Sequence, residues 1–180
     1  MKSKNRKETR VWLAFYKVKP EDGIADKAIK LWTRGPYSHV EIVVKDKNSP
    51  TGFTQRSFRL ETGYREIPHT FDKDTWDYRM IKINDYDRYI KFSESLKGAK
   101  YDMLGIIFSQ IVPLGIEDRK RWFCSEYCTH AILVAGTSDK RLWYVKPERV
   151  HPNKLAKLVN INFTKKKTFK KKLNKEVVKA

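Results

Sequence analysis

The chain holds two cysteines and four histidines, and two of these six side chains stand where covalent chemistry could be done. Cys124 lies in Arg121-Trp122-Phe123-Cys124-Ser125-Glu126-Tyr127, at the start of an apolar stretch, Phe123 to Ala135, that reads as a helix. A thiol attacks only as thiolate, and an unperturbed one is mostly protonated at neutral pH. At a helix's first turn the anion meets the positive end of the macrodipole and unpaired backbone N–H groups. The same groups can stabilise an oxyanion on a substrate. Ser125 is expected to cap this helix, and Arg119, Lys120 and Arg121 to add positive field. Cys128, one turn on, shares a stripe of small residues with Cys124, Ala131 and Ala135 and is assigned to packing against a sheet. Helix geometry at that spacing disfavours a disulfide, so both thiols are expected to be reduced.

A nucleophilic cysteine needs a base within hydrogen-bonding reach and a group that orients the base. His69 and His151 adjoin prolines in polar segments, and His130 points away from the Cys124 stripe, so all three are expected at the surface. His39 differs. It sits in Ser38 to Lys45, where Val40, Ile42 and Val44 alternate with His39, Glu41 and Val43, the pattern of a strand. Glu41 is therefore on the histidine's face, able to hold the imidazole or its cation. A hairpin closed by Asp46 to Gly52 would bring Gln55, Ser57 and Arg59 opposite that face. This leaves Ser57 and Gln55 as alternative orienting or site-lining residues. Glu126, two residues after Cys124, is a further site-lining candidate and is read as structural. No His, Cys and Asp cluster has ligand spacing, so neither a metal nor another cofactor is expected.

The elements that must position these residues read as strands first and helices afterwards, an α+β order. Strands are expected at Val11 to Val18, Ser38 to Lys45, Phe53 to Leu60 and Trp76 to Ile83. Ile24 to Trp32 has helical spacing and is broken by Gly35-Pro36. Helices are expected from Tyr86 to Leu96, over Tyr101 to Ile111, over Phe123 to Ala135 and from Pro152 to Val159, with a short strand at Leu142 to Val145. Gly63 to Pro68 reads as loop.

Length, 180 residues, suits one domain. The net charge of +18 is concentrated at the ends. Residues 1–10 contribute +4 and residues 164–180 contribute +7, leaving +7 for residues 11–163. The division is therefore a basic arm, 1–10, a domain, 11–163, and a lysine-rich tail, 164–180. Such arms attract polyanions: nucleic acid, anionic lipid or cell-wall polymer. The longest apolar run, Met103 to Ile116, is interrupted by Ser109, Gln110 and Pro113 and is too short to span a bilayer. Without a signal-peptide pattern, a cytoplasmic protein is expected.

SHVEIVV early and RWFCSEYCTHAIL late together resemble the permuted branch of the NlpC/P60 superfamily, the YiiX/YebB-like papain-like cysteine hydrolases. Gly63-Tyr64-Arg65, Trp76-Asp77 and Lys100-Tyr101-Asp102-Met103-Leu104-Gly105 fit the same pattern, over residues 11–150, and small phage-encoded members are the most similar. In this branch the histidine precedes the cysteine. The resemblance implies a small antiparallel sheet or half-barrel with the cysteine helix packed on it, Cys124 as nucleophile and His39 as base. Some relatives carry a Glu at the position of Ser57; here the acid is absent there, and Glu41 is favoured as third member. A phage origin would place the protein in the host cytoplasm or the virion. The implied activity is hydrolysis of an amide, in a peptide or cell-wall peptide. The alternatives are a lipid acylhydrolase or acyltransferase of the same fold, and a non-catalytic nucleic-acid-binding or virion protein that uses its basic tails.

Overall fold

A computed structural model describes residues 8–59, 62–101 and 121–161. They form an α+β arrangement around a five-stranded antiparallel sheet of order β4-β3-β2-β1-β5. The strands are β1 (Thr9–Lys17), β2 (Tyr37–Lys45), β3 (Phe53–Arg59), β4 (Gly63–Pro68) and β5 (Trp76–Ile83). Helix α1 (Ile24–Thr33) links β1 to β2, and α2 (Tyr86–Ser95), α3 (Cys124–Ala135) and α4 (Pro152–Leu158) follow the sheet. A two-residue parallel pair, β6 (Lys100–Tyr101) with β7 (Arg121–Trp122), leads into α3. Among the described residues no helix is long and apolar enough to cross a membrane.

The two faces of the sheet differ in chemistry. Leu13, Phe15, Val40, Ile42, Val44, Phe58 and Ile81 make an apolar face that α3 covers with Tyr127, Cys128, Ala131 and Ile132. The expected stripe of small residues is buried along its whole length, Cys124, Cys128, Ala131 and Ala135 alike, so the helix lies close to the strands. On the other face a smaller cluster of Trp12, Ala14, Val43 and Tyr78, with Phe53, Phe71 and Trp76, borders a buried polar row that includes His39, Glu41, Gln55 and Ser57. Central strands buried on both sides explain why β1 reads as a nearly unbroken apolar run.

Two segments depart from expectation. Gly63 to Pro68 is a strand, not a loop. Its sequence GYREIP has no apolar alternation because it is an edge strand, exposed over its last three residues, and its proline ends it. Gly63 starts it at φ 67°, and a Cβ there would lie 2.3 Å from the Ala99 carbonyl oxygen, so glycine is required. Leu142 to Val145 is not a strand. The Asp139 carboxylate accepts from the Arg141 amide, at 3.3 Å, and turns the chain into a single 3-10 turn, Lys140–Leu142, of which only Leu142 is buried. The expected helix beyond Tyr101, residues 1–7 and 162–180 of the basic ends, and Arg119-Lys120 lie outside the described residues, while Thr9 and Arg10 of the expected arm belong to β1.

The start of β2 is fixed by a residue far away in sequence. Asn153, fully buried in α4, accepts from the Tyr37 amide at 3.0 Å and donates to the Tyr37 carbonyl at 2.7 Å and to Thr33 Oγ1 at 2.6 Å. One side chain thus satisfies a buried peptide two residues before His39 and anchors the end of α1. Asn153→Ala leaves these groups unpaired and is expected to cost about 2–4 kcal/mol. Urea unfolding measures it, and a cost below about 0.5 kcal/mol would contradict the role.

Candidate active site

Glu41 stands in the middle of the sheet, and its surroundings follow from register. Ala14 pairs with Glu41 on one side and with Tyr78 beyond it. On the other side Ile42 pairs with Arg56 and Ser57 pairs with Arg65, which sets Arg65, Ser57 and Glu41 in one row across β4, β3 and β2. Ser57 and Ala14 are small, so long neighbours can reach over them. Arg65 Nη2 donates across Ser57 to Glu41 Oε1, and His39, two residues along the same strand face, reaches the same oxygen from Nε2 at 2.8 Å. Glu41 has no solvent exposure. Burial alone would raise its pKa, but His39 and then Arg65 hold it below the ordinary carboxylate range.

An ionised carboxylate only accepts, so the hydrogen of this bond belongs to His39 Nε2. In the neutral ring the lone pair is then on Nδ1, the nitrogen left for a thiol. The Cys124 side chain is hydrogen-bonded to the same ring. Burial alone would lower the His39 pKa; the charge Cys124 carries when ionised, the hydrogen bond to its side chain, and Glu41 together push it up to about 9. The imidazole is thus held between a sulfur and a carboxylate, each favouring its protonated form.

Cys124 reaches His39 although α3 covers the opposite face of the sheet. Pairing between β2 and β3 runs from Lys45–Phe53 to Ile42–Arg56 and stops there. Beyond it the Val40 carbonyl accepts from Ser57 Oγ at 2.7 Å and from Cys128 Sγ at 3.7 Å. Cys128 against Val40 places Cys124 one helical turn further along, at the open end of the strand pair beside His39.

The helix start differs from expectation at one residue. Ser125 does not cap α3: its hydroxyl donates to the Val150 carbonyl at 2.5 Å, pinning the helix to the segment before α4. Phe123 is the N-cap and has no side-chain acceptor, while Glu126 Oε2 accepts from the Phe123 amide at 3.3 Å, a structural contact. Access is narrower than a working nucleophile needs. Cys124 is 1% exposed and His39 7%, so a substrate carbonyl reaches the sulfur only after neighbouring groups move. Cys128 is a packing residue whose thiol pKa is raised well above the ordinary value, first by burial and then by Cys124 and Glu41.

Of the orienting groups open in the sequence, Glu41 alone is hydrogen-bonded to His39; Ser57 is engaged with Val40, and Gln55 Oε1 with His69 Nδ1. His69 is not at the surface. It is 3% exposed, roofed by Phe71 and Trp76, and its Nε2 lies 3.2 Å from the Tyr78 hydroxyl. Burial lowers its pKa, so it stays neutral and leaves the basic role to His39. His130, half-buried, stacks on Phe92 with ring centres 5.1 Å apart, and His151, also half-buried, accepts from the Lys154 amide at 3.2 Å as N-cap of α4. Phe92 and Trp32, ring partners of His130 and His151, are distant in sequence, whereas Phe71, Trp76 and Tyr78 lie within nine residues of His69. Arg65 is the residue whose role the sequence left unassigned: the Gly63-Tyr64-Arg65 step marked it, but only the register of β4 shows that it faces Glu41. Among the described residues no group of three or more His, Cys, Asp and Glu could hold a metal ion.

No protein-family model matches the chain, and no curated protein sequence matches it either.

Removing Arg65 leaves a buried carboxylate with one partner fewer. Arg65→Ala is expected to cost about 3 kcal/mol or more in urea unfolding at neutral pH. Glu41→Gln combined with it should recover part of the loss, because the unpaired charge is then gone. Full additivity of the two changes would show that the pair is not coupled.

Proposed function

We propose that the chain is a cysteine hydrolase with a circularly permuted papain-like (NlpC/P60-type) fold, cleaving an amide bond in a peptide or cell-wall peptide through an acyl-enzyme. One observation carries this reading: a single buried imidazole has the Cys124 thiol on one side and the buried Glu41 carboxylate on the other. The order of the parts agrees, with the histidine strand first and the cysteine helix some eighty residues later.

In the reaction, the Cys124 sulfur, its proton held on His39 Nδ1, attacks the substrate carbonyl. The oxyanion that forms is stabilised by backbone N–H groups at the start of α3, which carry the positive end of the helix dipole. The imidazolium returns its proton to the leaving amine as the C–N bond breaks, and a thioester remains on Cys124. Water, deprotonated by His39, then adds to the thioester; the sulfur leaves, and the acid product is released. Glu41 keeps Nε2–H as the donor throughout and stabilises the imidazolium without accepting its proton. Arg65 holds that carboxylate in place.

Cys124→Ala and His39→Ala are each expected to lower turnover of an activated ester or a cell-wall peptide by about a thousandfold or more. Iodoacetamide should label Cys124 and leave Cys128 unmodified, and His39→Ala should slow that labelling by about tenfold or more, because the group that takes up the thiol proton is lost. Equal labelling of the two cysteines, or turnover retained in either alanine variant, would overturn the proposal.

A further inference from the structure

Helix α1 turns its apolar side to solvent. Ile24 is 88% exposed, Leu31 81% and Trp32 39%, and Ala25 and Ala28 are exposed between them. At helical spacing these five fall on one arc. The opposite edge meets the protein: Thr33 is buried, and Asp26 and Ile29 are half-buried. Its orientation is set by a polar anchor, Thr33 Oγ1 accepting from Asn153 Nδ2 at 2.6 Å, and not by burial of its apolar stripe. This reverses the usual arrangement of an amphipathic helix on a globular surface, where the apolar stripe is covered.

Positive charge surrounds this face. Lys27 and Lys30 are exposed on the helix, and Arg34 ends it. The Trp32 ring lies 6.0 Å from that of His151, the N-cap of α4, and α4 is the last described helix. From Ile161 the chain continues into residues 162–180, which hold eight lysines against one glutamate. The lysine-rich stretch therefore departs from the element that neighbours α1.

We propose that α1 docks on an anionic lipid bilayer, its Ile24, Ala28, Leu31 and Trp32 side entering the interfacial layer while Lys27, Lys30, Arg34 and the C-terminal lysines engage headgroup phosphates. An apolar arc carrying a tryptophan beside a basic flank is what an interfacial helix requires. A nucleic acid would engage the lysines and leave Ile24 and Leu31 uncovered. A second copy of the chain would bring a net charge of +18 against +18. Helix α1 ends four residues before Tyr37, and Tyr37 precedes His39 by two, so docking would hold the His39–Cys124 end of the sheet at the membrane. The docking itself stands on the surface of α1 and not on the bond that the site cleaves.

The test is co-sedimentation of the full chain with phosphatidylcholine vesicles, with and without phosphatidylserine. Binding to the anionic vesicles is expected, with partitioning reduced by about tenfold or more in Ile24→Glu/Leu31→Glu. Both positions are open to solvent, so the variant should keep its melting temperature, which is measured alongside. Absence of wild-type binding to anionic vesicles would overturn the proposal. So would a double variant that binds as the wild type does, since the lysines alone would then suffice. A wild-type dimer that the double variant converts to monomer would assign the face to a second copy instead.

Discussion

A carboxylate with no exposure to water loses most of its hydration, and it stays ionised only if fixed partners replace what water gave. Glu41 is such a group, and Arg65 and His39 are its partners. Each needs a different strand position, so the registers of β2, β3 and β4 cannot slip by one residue without turning one of the three to the other face. The charge thereby couples the strand pairing of half the sheet to the orientation of one imidazole. It also sets the tautomer of that ring, because an acceptor at Nε2 leaves Nδ1 as the nitrogen that can accept a proton.

The remaining architecture brings a sulfur to that nitrogen. Small side chains along α3 let the helix approach the strands, and Cys128 reports the closeness by lying 3.7 Å from the Val40 carbonyl. The pairing of β3 with β2 ends at Ile42, and beyond it the Ser57 hydroxyl bonds the Val40 carbonyl. Asn153 closes the arrangement from the other direction by holding the Tyr37 peptide. The helix start lies more than eighty residues from the strand start and from Glu41, yet they converge with little solvent left between them.

Much of this was legible in the residues. Alternation in SHVEIVVK defined β2 and put His39 and Glu41 on one face, and the small-residue stripe defined how α3 sits. The hairpin turn at Asp46 to Gly52 predicted a register that the Ile42–Arg56 pairing follows. What the sequence concealed depended on which side chains fold over which. His69 sits in a polar segment, and nothing local says that Phe71, Trp76 and Tyr78 enclose it. Arg65 lies on an edge strand without apolar alternation, so its strand, and hence its direction, left no periodic signal. The spacing in α1 is the same whether its stripe faces the core or the solvent; only the Asn153–Thr33 anchor decides. Ser125 looked like a cap because of its type and place, yet the Val150 carbonyl claimed its hydroxyl.

The proposed reaction needs one imidazole shared between the Cys124 sulfur and the Glu41 carboxylate. The most direct measurement is the pH titration of His39 by NMR of the isotopically labelled ring, in the wild type and in Cys124→Ala. A shared ring stays protonated up to about pH 9 in the wild type and titrates lower once the sulfur is removed. A ring that titrates at or below the ordinary histidine value in the wild type, unchanged by loss of the sulfur, would contradict the account.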